Sequence, residues 1–171
     1  MEMINLPCPP KLTIPTAIKQ EHTLKGCVHW FDLVNNTDVE ISSQKARPYI
    51  IIGADNPRSN RIIISPISDR IHYVEQGTDI LKYPYHAPLF KSNDSFLDKD
   101  SAILLDQVYT IKKDNLCEEW YMGKISDNAE LDKAIMYNFD LFQTTFSIYK
   151  ELFEQLQDKI KKEYANNYTR K

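Results

Sequence analysis

Glycine, cysteine and long apolar runs are all scarce in this chain. Its 171 residues include four glycines and three cysteines. The glycines stand apart, so no Gly-rich phosphate loop can be built from them. Cys8, Cys27 and Cys117 are odd in number and lack zinc-site spacing. They read as reduced thiols, with Cys27 and Cys117 as core filler. No apolar run approaches a membrane span, and the first residues carry no apolar signal core. A cytoplasmic location is the default expectation. A nucleophile elbow and an acidic cluster for magnesium are also missing, so any catalysis is expected to need no metal and no cofactor.

What is present is an ordinary globular composition, 42% hydrophobic, 26% charged and 11% aromatic, which excludes wholesale disorder. The length predicts one domain with a real core and some chain left for appendages. A net charge of -3 argues against strong non-specific nucleic-acid binding by the chain as a whole. The charge is unevenly spread, however. Between Ser42 and His72 lie Lys45, Arg47, Arg58, Arg61 and Arg70, opposed only by Asp55 and Asp69.

Residues 1–22 hold Pro7, Pro9, Pro10 and Pro15 with little periodicity, as suits an extended arm or a loose tail. Strand signals follow at Gly26–Leu33, Pro48–Ala54, Arg61–Ile67 and Ala102–Ile111, with a weaker one at Tyr85–Phe90. Asn35-Asn36 and Asn56-Pro57-Arg58-Ser59-Asn60 punctuate them as turns. Residues 69–84 read as a longer loop. Helix comes last. Asp127 and Glu130 form a candidate capping box ahead of Leu131, Ala134, Ile135, Asn138 and Phe142 at helical spacing. A second amphipathic run carries Tyr149, Leu152, Phe153, Leu156, Ile160 and Tyr164. Strands first and helices last predict an α+β fold, a small curved and mostly antiparallel sheet with C-terminal helices.

The segment Arg47-Pro48-Tyr49-Ile50-Ile51-Ile52 is the most informative. Proline disfavours helix at the residue before it, so Arg47 is held extended at the mouth of an apolar strand. If residues 55–61 connect that strand to the next as a hairpin, Arg47 falls opposite Ser68, with Asp69 and Arg70 adjacent. A guanidinium fork beside a hydroxyl suits a phosphate. Asp106 and Gln107 interrupt the apolar run that begins at Ala102. By the period of two they face opposite sides, and Gln107 reads first as an amide that satisfies loop backbone. His29 reads as a strand-face histidine. His72 and His86 lie in or near the long loop, and Trp30, Tyr73, Tyr83 and Tyr85 are aromatics that either pack or stack on bases.

The order of these segments resembles the MazF/PemK-like toxins of bacterial toxin–antitoxin systems. Lys25-Gly26-Cys27-Val28-His29-Trp30-Phe31-Asp32-Leu33 is similar to the family's opening strand, and Arg47-Pro48 with its apolar run to the second. Ile62 to Ser68 is similar to the next strand, which ends in threonine or serine. Asp100-Ser101-Ala102-Ile103-Leu104-Leu105-Asp106-Gln107-Val108-Tyr109-Thr110-Ile111 is similar to the family's last motif. The resemblance spans about residues 25–142 and makes 23–142 the toxin domain. It leaves 1–22 as a Pro-rich extension and 143–171 as an amphipathic helical extension.

The resemblance implies a homodimeric, metal-independent endoribonuclease that cuts single-stranded RNA and is restrained by a cognate antitoxin. It implies Arg47, Ser68 and Asp106 as catalytic residues, and Lys45, Arg58, Arg70 and Gln107 as RNA-binding residues. Three positions depart from the family pattern. Cys27 replaces an acidic residue, Ser43-Gln44 stands where a Glu-Gln pair is usual, and Tyr109 replaces an arginine. The first loop, Val34 to Ala46, is also longer than usual. Two other readings stay open, a toxin of the same fold that acts by protein contact, as gyrase poisons do, and a relative that binds RNA without cutting it.

Overall fold

The computed structural model describes residues 16–33, 46–54 and 56–168. Its strands form where aromatic and β-branched residues run together. β1 (Cys27–Phe31), β2 (Arg47–Ile51) and β3 (Arg61–Asp69) come first. β4 (His86–Leu89), β5 (Ser101–Leu104), β6 (Tyr109–Lys112) and β7 (Tyr121–Lys124) complete one sheet. The order is β4-β5-β3-β2-β1-β7, with β6 pairing β3, and every pairing is antiparallel. The nine-residue β3 organises the whole. One of its edges carries β2, while the other carries β6 along Arg61–Ile64 and β5 along Ile67–Asp69. Changing partner midway along one edge curls the sheet. The predicted α+β class, a curved antiparallel sheet with helices at the C-terminal end, is the fold observed.

Both faces of the sheet are buried, which explains why Tyr49 to Ile52 is an unbroken apolar run rather than an alternating one. Ile50 and Ile52 join Val28, Ile67 and Ile103 on one face, under Leu131 and Ala134 of the helix α1 (Ala129–Asn138). Tyr49 and Ile51 join Phe31, Ile64 and Ile111 on the other, closed by Ile18, Leu24 and Trp120. Burial pushes both thiols, Cys27 and Cys117, up from their ordinary pKa, as expected of packed neutral cysteines.

Two local expectations are corrected, one strand is added and the two helical runs are resolved. Ala102–Ile111 is not one strand: it breaks at a turn in which the Gln107 N–H donates to the Leu104 carbonyl at 3.0 Å. Asp106 and Gln107 therefore occupy the β5–β6 turn rather than opposite faces of a strand. The capping box is not formed. Asn128 is the N-cap, Asp127 accepts from the Ala129 N–H at 2.9 Å, and Glu130 pairs with Lys133 at 3.9 Å. β7 was not anticipated, because Tyr121-Met122-Gly123-Lys124 is short and contains a glycine. The two helical runs are separate helices, α1 and α2 (Leu141–Tyr168). Asp140 divides them in the left-handed region at φ 52°, which a short polar side chain tolerates.

Of the Pro-rich extension, residues 16–22 are described, and they pack along the segment before β7. Ala17 bridges Cys117, Thr16 bonds the Glu119 carboxylate, and the His22 ring lies flat on Tyr121 at 3.7 Å. Glu118 is the tether, accepting from His22 at 3.0 Å and pairing with Lys19 at 3.2 Å. The His22 hydrogen bond, with help from Lys19, lowers the Glu118 carboxyl from 4.5 to about 2. A depressed carboxyl contributes stability that is full above its unfolded value and fades as pH falls through its folded value. Acid titration from pH 5 to about pH 2 is therefore expected to loosen this clasp, followed by Trp120 fluorescence. Glu118→Gln should shrink the transition in that window, leaving the part due to Glu119, which its bond to Thr16 also holds below the usual carboxylate range.

Candidate active site

Arg47 opens β2 because Pro48 fixes the chain as extended and cannot donate to a ladder. Across β1 it faces Phe31, while Pro48 faces Trp30. Toward β3 the ladder pairs Tyr49 with Pro66, Ile50 with Ser65 and Ile51 with Ile64, the register expected from the hairpin. Pro66 has no N–H, and the recorded pairing ends there. Continued by two residues on each strand, the same register sets Arg47 beside Ser68. Both belong to the face of Tyr49, Ile51 and Ile64 by the period of two. Both are half-buried.

The floor of this corner is rigid. Tyr49 is 1% exposed, with Phe31 and Tyr109 packed edge-on to its ring at 6.0 and 6.3 Å. Burial pushes its phenol up to about 12, tempered by the Arg47 charge, so it stays protonated at neutral pH. On the outer side of β3, Ser68 pairs with Ala102 of β5. Next to it, the Asp69 carboxylate accepts from the Lys99 ammonium at 2.6 Å and from the Ile71 N–H at 3.3 Å. The Lys99 bond holds Asp69 below the usual carboxylate range. A cleft of about 920 Å³ runs on from there, lined by Asp69, Lys99, Glu75, Asp79 and Lys82 among others.

The other candidates are placed differently. Arg70 is 12% exposed at its side chain, bonded to the Asp79 carbonyl and lying 4.8 Å over the Phe90 ring. It braces the long loop instead of presenting a free cation. Arg58 is exposed in the β2–β3 turn, at the opposite end of the hairpin from Arg47. Lys45 lies outside the described residues. Gln107 is half-buried in the β5–β6 turn. Asp106, in the same turn, lies beyond the end of β5, past the Ala102 that pairs with Ser68. The register, continued past Pro66, brings Arg47 towards Ser68, while Asp106 lies in the β5–β6 turn and bonds elsewhere.

Asp106 instead accepts from His86 Nε2 at 3.1 Å. The His86 side chain is 2% exposed, with Tyr73, Tyr83 and Tyr85 packed edge-on around it. Tyr83 and Tyr85 stack on each other at 5.2 Å. Sequence reasoning named these residues one by one without assembling them, because three come from an irregular loop. It missed Lys99 altogether. The only signal was its place in Asp98-Lys99-Asp100, just ahead of β5.

Among the described residues no three His, Cys, Asp or Glu side chains converge as metal ligands. No described helix is long and apolar enough to cross a membrane.

A curled antiparallel sheet with an Arg-Pro strand opening beside a strand-end serine agrees with a family match over residues 25–139, to the PemK-like, MazF-like toxins of type II toxin–antitoxin systems. The chain belongs to this family. Among curated relatives it is 35% identical over 124 residues to the endoribonuclease MazF of Staphylococcus epidermidis, covering 68% of this chain and 94% of that protein. Solved structures with a similar fold include an endoribonuclease in complex with its cognate antitoxin from a mycobacterial species. It is 17% identical, at TM-score 0.49, over 69% of this chain and 95% of the other. The Mycobacterium tuberculosis toxin MazF-mt6 is 22% identical, at TM-score 0.46, over 67% of this chain and 96% of the other.

Proposed function

We propose that this toxin, an endoribonuclease by its family, cuts single-stranded RNA without a metal, through attack of a ribose 2′-hydroxyl on the adjacent phosphate. The 2′-hydroxyl gives up its proton as the new bond joins O2′ to phosphorus, and the bond from phosphorus to O5′ breaks. The leaving oxygen takes a proton, so the products are a 2′,3′-cyclic phosphate and a 5′-hydroxyl. Such a reaction asks for positioning and for neutralisation of the charge that builds on the phosphoryl oxygens. DNA lacks the nucleophile.

The observation that supports this reading is the β2–β3 register, fixed by buried residues, which continued past Pro66 brings Arg47 and Ser68 to one face at the mouth of the strand pair. Arg47 supplies a charged two-pronged donor to the phosphoryl oxygens, and Ser68 supplies a neutral one. Asp106 is then a residue of the RNA groove and not of the reacting centre, and through His86 it steadies the tyrosine cluster. The substrate is messenger RNA in the cytoplasm, the working unit is a homodimer, and a cognate antitoxin covers the Arg47 groove.

Ser68→Ala tests the corner. It removes one donor and leaves the strand intact, so cleavage of single-stranded RNA in the presence of chelator should slow by about ten- to a thousandfold. An unchanged rate would remove Ser68 from the site. Cleavage that vanishes in chelator and returns with magnesium would defeat the metal-free reaction.

A further inference from the structure

The helix α2 begins at Leu141, beyond residues 25–139 of the toxin family, and runs for 28 residues. Phe142, Phe146, Tyr149, Phe153, Leu156 and Ile160 lie along it, and they are 42%, 72%, 67%, 61%, 55% and 44% exposed. Their spacing alternates strictly between four and three. That is the 3.5-residue period of a coiled-coil seam, and the exposed Leu152 lies beside it and broadens its apolar cover. We infer that α2 pairs with the α2 of a second copy of this chain along this seam.

Three observations favour a second copy as the occupant. The seam is self-complementary, since all six positions are apolar, so a two-fold axis sets large apolar side chains against their own kind. The exposed part of six such side chains is about 600 Å² per helix, or about 1,200 Å² for a pair, which reaches the lower bound of specific interfaces. The charges also allow it. Glu151, Glu154 and Asp158 fall on the outer face, while Lys150 and Lys159 flank the seam, where their stems extend apolar cover and their ammonium groups reach water. A surface helix also owes most of its stability to tertiary packing, and the described side chains of α2 are exposed. The inference concerns assembly alone and does not depend on the reaction proposed above.

Disulfide trapping in the full chain tests it. The background is Cys8→Ser, because Cys27 and Cys117 are buried. Tyr149→Cys and Phe153→Cys chains are oxidised separately and as a mixture, beside an outer-face control, Asp158→Cys. Parallel pairing gives covalent dimers of each seam variant alone. Antiparallel pairing about the helix centre gives chiefly the mixed dimer joining 149 to 153. Either result, at a yield at least tenfold above the control, supports the pairing. Yields equal to the control in all three mixtures would overturn it, as they would if another segment of the same chain, a different protein or a lipid surface covered the seam. A loss of trapping when Leu156→Glu is added to the Phe153→Cys chain would confirm that the seam itself brings the helices together. Trapping unaffected by that change would count against it.

Discussion

Arg47→Ala is expected to reduce RNA cleavage about a thousandfold while leaving the fold in place, the upper end of the loss from removing one preorganised transition-state donor. Several features place it there. The guanidinium stands at the end of β2, where the register continued past Pro66 meets Ser68. It offers two parallel N–H donors as well as charge, so no single substitution restores both. Arg47→Lys keeps the charge and loses the fork, and should recover only a small part of the rate. Stability should hardly change, because the side chain is half-buried at a strand end and substitutions of that kind usually fall within about 0.5 kcal/mol. The measurement is the initial rate of cleavage of a defined single-stranded RNA in chelator, with the thermal midpoint of each variant alongside. A variant that cuts as fast as the parent would remove Arg47 from the reaction. Growth arrest by the parent with RNA left intact would favour a toxin that acts by protein contact.

Much of this corner was legible in the sequence, for a physical reason. Proline before an apolar run fixes both the end and the direction of β2, and a short polar turn fixes the register of β2 against β3. A residue at one end of the hairpin then finds its partner by counting, and the register from Tyr49–Pro66, continued by two residues, leads from Arg47 to Ser68. Asp106 shows where counting fails. The run from Ala102 to Ile111 is apolar on both sides of Asp106-Gln107, and without a glycine or proline that polar pair reads equally well as a strand interruption or as the turn from Leu105 to Val108. The turn arises because β3 takes β5 and β6 on the same edge, a choice made by packing across the sheet. The His86 cluster was hidden for a related reason, since a loop has no period to extrapolate. Lys99 gains its meaning only from Asp69, thirty residues away. Family resemblance supplied the chemistry of Arg47 but could not supply these neighbours. The long helix α2 lies outside that resemblance, and its seam spacing is a property of this chain.

Ile50→Ala is expected to do the reverse of Arg47→Ala, lowering stability by about 2–5 kcal/mol while leaving the proposed catalytic corner unchanged. Ile50 is fully buried in the middle of β2, paired with Val28 on one side and Ser65 on the other. Its side chain joins the cluster under α1, on the face opposite Arg47 and Ser68. Truncation removes buried methyl and methylene groups and opens a cavity between two sheet strands and a helix, where the backbone has little freedom to collapse. For a chain of this size each kcal/mol moves the thermal midpoint by roughly 2–4 °C, so a fall of about 5–20 °C is expected in a melting experiment. The same mutation leaves Tyr49, the floor of the corner, in its own cluster on the other face. Cleavage per folded molecule, measured well below the new midpoint, should therefore stay within about twofold of the parent. That estimate treats the buried site and the corner as independent, which holds when two positions share no partners. A large loss of rate in Ile50→Ala at low temperature would show that the two faces of β2 are coupled. Arg47 would then owe its position to the packing under α1 as well as to Pro48 and the register of the hairpin.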